Sequence, residues 1–142
     1  MKTFVELEDR LQNLMFGLDG DLWREMMRNV APPANLPDEQ EALDMVYRGS
    51  KALGGYIPDL MAIMRRHIPA ELPPAEVQAL KGVLGYIQLM TRILLLILLV
   101  PRYHDHEDLI TTFNAYRQSI VFVEDYLAQA EPRGGLAPPK QQ

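Results

Sequence analysis

Ile93-Leu94-Leu95-Leu96-Ile97-Leu98-Leu99-Val100 closes a segment, Pro74 to Val100, that keeps helical spacing but has no polar face in its last two turns. A helix at the surface of a small protein needs only an apolar stripe, so one that is apolar all round must be covered on several sides. Full burial of one such side chain is worth roughly 1.5–3 kcal/mol, which puts these eight together on the order of 12–24 kcal/mol. Water is not their final environment. They belong in the protein's own centre, against a partner chain, or in lipid.

Lipid is the least expected of the three. Lys81 and Arg102 bracket twenty residues, about the length a bilayer requires. Arg92 stands near the middle of that stretch, with Gly82, Gly85, Gln88 and Thr91 before it. A central arginine costs roughly 2.5–3.5 kcal/mol on insertion scales, so a membrane span is not expected.

Outward from this segment, prolines and glycines divide the 142 residues into helices, and no alternating run long enough for a strand intervenes. Thr3 and Glu6 have capping-box spacing ahead of Leu7, Leu11, Leu14 and Leu18, which sets a first helix ending near Gly17 to Gly20. A short second helix is expected over about Asp21 to Val30, before Pro32 and Pro33 stop it. Pro37, with Asp38, Glu39 and Glu41 behind it, opens a third that reaches Leu53 and ends at Gly54-Gly55. A fourth starts at Pro58 and ends before Pro69, the fifth runs from Pro74 to Pro101, and Asp105 is the expected cap of a sixth that reaches Ala130. Residues 131–142 contain three prolines and two glycines and read as a flexible tail beyond a single domain of residues 1–130.

The fifth and sixth helices carry complementary patterns. Leu109, Phe113, Tyr116, Ile120, Val123 and Leu127 alternate spacings of four and three, and Val77, Leu80, Leu84, Ile87, Thr91, Leu94 and Leu98 do the same. That 3.5-residue period, with a short connection around Pro101 to His104, predicts a long C-terminal antiparallel αα-hairpin. If the turn centres near Arg102 and Tyr103, Lys81 comes level with Glu124 or Asp125. The expected fold is all-α: a helical bundle of four to six helices containing this hairpin. Val83, Met90, Ile93, Ile97 and Val100 form a second apolar stripe on the fifth helix. Met90, Ile93, Ile97 and Val100, near the turn, are expected to meet another copy of the chain in a two-fold dimer.

Composition narrows the function classes. The residues are 48% hydrophobic and 23% charged, which is ordinary globular usage. A net charge of −5 argues against nucleic acid, whose affinity comes largely from neutralising phosphates with Lys and Arg. With no cysteine there is neither a disulfide framework nor thiolate metal ligation. The charged N-terminal stretch Lys2 to Asp9 does not resemble a signal peptide, and a cytoplasmic location is expected. Ser50 and Ser119 are the only serines, with no Gly-x-Ser-x-Gly around them, and Gly54-Gly55 is not followed by the Gly-Lys-Ser/Thr of a phosphate loop. No catalytic residue and no cofactor site is therefore assigned.

Three polar or adaptable groupings remain. His104-Asp105-His106-Glu107-Asp108 offers metal-type donors, with His104, His106 and Asp108 as the candidates. Two histidines separated by one residue at a helix start do not share a face, so a helix cap is the expected role and no metal is expected. Arg65, Arg66 and His67 end a helix, where positive charge suits the dipole; an anion or acidic partner is the alternative. Met15, Met26, Met27, Met45, Met61 and Met64 crowd the first half and could line an adaptable partner groove beside Trp23.

The sequence thus points to a non-catalytic helical interaction, adaptor or regulatory protein that self-associates through the 74–100 helix and binds another protein. One competing reading is a small-molecule- or metal-binding domain, sensor or enzyme, that uses His104 and His106. The other is an acidic inhibitor of the immunity type that binds a basic partner.

Overall fold

A computed structural model describes residues 1–17 and 39–131, and in these every regular element is helical. The chain runs through α1 (Phe4–Gly17), α2 (Glu39–Gly54), α3 (Ile57–Arg66), a single 3-10 turn (Pro69–Glu71), α4 (Pro74–Leu98) and α5 (Glu107–Ala130). The all-α expectation is met. The helix expected over residues 21–30, the opening of α2 at Pro37 and residues 132–142 lie outside the described residues.

The helix boundaries follow local chemistry. At α1 the Glu6 N–H donates to Thr3 Oγ1 at 3.1 Å, while Glu6 Oε1 accepts from the Lys2 N–H at 3.3 Å and from the Thr3 hydroxyl at 3.2 Å. These bonds satisfy backbone donors that the first helical turn leaves without partners. A further one is met from afar: the Phe4 N–H donates to Glu76 Oε1 at 2.7 Å, which ties the start of α1 to the start of α4. Prolines at the first or second position open α3 and α4, where a missing N–H costs nothing. At α5 the cap is His106 and not Asp105: His106 Nδ1 accepts from the Leu109 N–H at 3.3 Å. The turn Val100–His106 uses its own carbonyls, with the Tyr103 and His106 N–H groups bonded to Val100 and Tyr103 oxygens, and so carries the helix start one residue further on.

α4 is the central element, with its most extensive contacts to α5 and α1. Val77, Ala79, Leu80, Val83, Ile87, Met90, Ile93, Leu94 and Ile97 are all buried along it. Gly82 and Tyr86 lie toward α1. A Cβ at Gly82 would stand 1.8 Å from Glu8 Oε2, and burial, with the Glu8 charge second to it, raises the Tyr86 pKa. Thr91, on another flank, sits beside Phe113 and Arg117 of α5. Two neighbouring helices on two flanks account for the width of α4's apolar arc. One connected core results, joined by Phe4, Leu7 and Leu11 of α1, Val46 and Leu53 of α2, Leu60 and Ile63 of α3, and Leu109, Tyr116, Val123 and Leu127 of α5.

This core corrects the expected interface. Met90 at 0%, Ile93 at 1% and Ile97 at 1% exposure are enclosed by the chain's own helices, and Val100 is half-buried against the same cluster. They are not an outward stripe, because α1 and α2 pack against α4 in addition to α5. α4 is long and apolar enough to cross a membrane by length and composition, yet its exposed ridge carries Lys81, Gln88 and Arg92.

The register beside α4 also differs from expectation. Lys81 Nζ pairs with Glu131 Oε2 at 2.7 Å, not with Glu124 or Asp125. Glu131 caps α5, its N–H bonded to the Leu127 carbonyl, and so belongs to the folded part and not to a tail. The long side chains of Lys81 and Glu131 span the axial offset that a simple count from the turn does not include.

Candidate functional site

The outer face formed by α4 and α5 contains a shallow groove of about 410 Å³. Leu95, Phe113, Ile120 and Val121 supply its apolar surface, and Gln88, Thr91, Arg92 and Arg117 its polar one. Thr91 has already spent its hydroxyl proton on the Ile87 carbonyl at 2.7 Å. Arg117 lies over the Phe113 ring, 5.8 Å from its centroid, where the guanidinium is attracted to the ring face and stays available to a second, anionic neighbour. Among the described residues neither Arg92 nor Arg117 meets a carboxylate. Among the described residues its lining is therefore apolar with two cations and no anion.

Exposed apolar side chains lie both in its lining and outside it. Leu99 is 64% exposed, Phe122 60%, Val121 56% and Leu95 43%. Gln88, Arg92, Leu95 and Leu99 follow spacings of four, three and four, so they make a single ridge on the outside of α4. In the sequence Phe113 and Ile120 fit the hairpin seam, Leu95 and Leu99 fall within the all-round apolar run, and Val121 and Phe122 lie off the heptad pattern. The usable signal was the position of Arg92 on the Leu95 ridge, opposite the Met90, Ile93 and Ile97 face.

The histidine-rich cluster does not assemble into a metal-type set. His104 Nδ1–H donates to the Pro101 carbonyl at 2.6 Å, and His106 Nδ1 is spent on the α5 cap. Asp108 faces α2: its Oδ2 accepts from the Tyr47 hydroxyl at 2.5 Å and its Oδ1 from Lys51 Nζ at 3.0 Å. The Tyr47 hydroxyl, and after it Lys51, hold the Asp108 carboxyl below its ordinary pKa, while the same contacts raise those of Tyr47 and Lys51. Lys51 lies 5.3 Å from the Tyr47 ring centroid and the His106 ring 6.5 Å from it. This exposed knot joins α2 to the first turn of α5. Among the described residues no three His, Cys, Asp or Glu side chains lie where they could hold one metal ion.

The basic end of α3 is committed as well. An Arg66 guanidinium N–H donates to the Met1 carbonyl at 2.6 Å, and His67 Nε2–H donates to the Lys2 carbonyl at 3.1 Å. Tyr126 Oη donates to the His67 carbonyl at 3.0 Å, and its ring meets Phe4 edge-on at 5.9 Å. Arg66 and His67 thus pin the N-terminal residues. Of the methionines proposed for a groove, Met61 and Met64 are half-buried, Met64 against the core; Met26, Met27 and Trp23 lie outside the described residues, and nothing is assigned to the side chains of Met15 and Met45.

Two buried tyrosines complete the polar interior. Tyr116 Oη donates to the Ser50 carbonyl, and burial drives its pKa far upward. Tyr103 Oη is buried and has no hydrogen-bond partner among the described residues. Comparison with known proteins finds no matching family model, no similar curated protein and no similar solved structure.

Proposed function

We propose that the chain is a non-catalytic helical interaction protein, a single-domain bundle with a C-terminal antiparallel hairpin, and that the outer face of that hairpin docks another protein. The observation that carries this reading is the apolar groove at Leu95, Phe113, Ile120 and Val121, continued along the α4 ridge by exposed Leu99. Contiguous exposed apolar surface with a polar rim is the usual mark of an interface. The Nδ1 atoms of His104 and His106 and the Asp108 carboxylate are engaged in turn, cap and helix-tether bonds. A cytoplasmic setting and a soluble rather than membrane-embedded chain are part of the proposal.

The test is quantitative affinity enrichment from the producing cells with wild type and a Leu95→Glu/Val121→Glu variant. Both positions are exposed, so the variant keeps its thermal midpoint. A protein recovered with wild type and depleted about tenfold with the variant supports the reading; identical recovery with both refutes it.

Self-association is the second reading, favoured by the 64% exposure of Leu99 at the turn end of α4. It no longer rests on Met90, Ile93 or Ile97. Native mass spectrometry of wild type and Leu99→Ser separates the two, since a dimer held by Leu99 becomes monomer in the variant.

A further inference from the structure

Resting on the reading that the hairpin's outer face docks a partner, we infer that the partner segment is an acidic amphipathic helix, its apolar stripe in the groove and its carboxylates on Arg92 and Arg117. Among the described residues the charged side chains lining the groove are both arginines, and neither meets a carboxylate. In a chain of net charge −5, such a cationic patch stands out from the rest of the surface. Arginine's planar fork suits bidentate carboxylate binding, and partial desolvation by the flanking Leu95 and Phe113 strengthens such a contact.

The apolar part sets the shape of the occupant. Leu95 comes from one helix and Phe113, Ile120 and Val121 from the other, so the groove follows the line between two helices. A third helix laid in such a groove presents apolar residues at i, i+3 or i+4, and i+7. Carboxylates one turn to either side of that stripe then reach the two guanidinium groups.

A second copy of this chain is a poor occupant. A two-fold interface brings the same patch to both sides, which would set Arg92 and Arg117 against their own copies. Like charges across an interface disfavour pairing. An anionic lipid surface would satisfy the charges, but a flat surface does not use a concave strip between helices.

The test uses the full chain and three fluorescein-labelled 18-residue helical peptides: one with a leucine stripe flanked by glutamates, the same with lysines for the glutamates, and a scrambled glutamate control. Fluorescence anisotropy is read for wild type, for Arg92→Glu/Arg117→Glu and for Leu95→Ser, with thermal midpoints to confirm folding. Expected are saturable binding of the glutamate peptide, loss of about tenfold or more in affinity in the charge-reversed variant, and a gain by that variant of the lysine peptide. Binding should also weaken with salt, and Leu95→Ser should weaken it at every salt concentration. Equal binding of the glutamate and lysine peptides would overturn the acidic assignment and leave the docking face intact. No binding of either, a dimer that excludes the glutamate peptide, or co-sedimentation with phosphatidylglycerol vesicles in place of peptide binding would each overturn the inference. Affinity enrichment that depends on Leu95 and Val121 would still stand or fall separately.

Discussion

Truncating Ile97 to alanine separates a core residue from an interface residue. Its side chain is 1% exposed within the single chain and belongs to the connected core. Removing three carbons from such a site costs about 2–5 kcal/mol, from lost transfer energy and the cavity that close-packed neighbours cannot fill. For a chain of this size each kcal/mol moves the thermal midpoint by about 3–5 °C, so a fall of about 6–25 °C is expected. Leu95→Ala is the control. At 43% exposure it gives up about 1 kcal/mol and leaves no cavity, because solvent fills the space. Thermal unfolding followed by circular dichroism at protein concentrations a hundredfold apart supplies the readout. A core role makes the Ile97→Ala shift independent of concentration, whereas an interface role ties it to oligomer dissociation. An unchanged midpoint in Ile97→Ala, or a loss seen only where an oligomer forms, would refute the argument.

Other expectations follow from single contacts. Tyr116→Phe leaves the Ser50 carbonyl without its buried donor and should cost about 1–3 kcal/mol in denaturant unfolding, whereas Tyr103→Phe removes a hydroxyl with no partner among the described residues and should be neutral or stabilising. Gly82→Ala meets the far end of the Glu8 side chain, which can swing aside, so its cost should be offset by the gain of about 1 kcal/mol in helix propensity. Adding Glu8→Ala should make the double variant more stable than Gly82→Ala alone, and a loss above about 2 kcal/mol in both would mean that the α1 backbone sets the approach. The Asp108 carboxyl, depressed from 3.8 by Tyr47 and Lys51, stabilises the folded state above that value and stops doing so as pH falls through the lower folded pKa. The midpoint gap between wild type and Asp108→Asn should therefore be open at pH 6 and close below pH 3.8; a constant gap would show that the tether is not electrostatic.

The fold was legible wherever local rules suffice. Thr3 and Glu6 marked the start of α1, Gly54-Gly55 the end of α2, Pro74 the start of α4, and the heptad spacing picked out Leu109, Tyr116, Val123 and Leu127, four of the six residues that α5 buries, without Ser119 and Tyr126. What the sequence could not weigh was how completely the shorter helices cover α4. The stripe of Met90, Ile93 and Ile97 looks the same whether α1 or a second chain lies on it, since periodicity reports that a face is covered and not by what. The cap of α5 shifted from Asp105 to His106 for a similar reason: either side chain can accept from the first turn, and the hydrogen bonds of the preceding turn chose between them. The groove was hidden because Phe113 and Ile120 fit the heptad, although they are only half-buried. Arg92 was the visible clue, a cation on the ridge that carries Leu95.

The measurement that most directly tests the docking face is a map of backbone amide shifts on the 15N-labelled full chain, titrated with the leucine-striped glutamate peptide. Movement is expected at Gln88, Arg92 and Leu95 of α4 and at Phe113, Arg117 and Val121 of α5, saturating together, while Ile63 and Leu7 on the far side of the core stay still. Shifts that centre on Tyr47, Lys51 and Asp108, or that spread evenly over the chain, would contradict the assignment of this face as the binding surface.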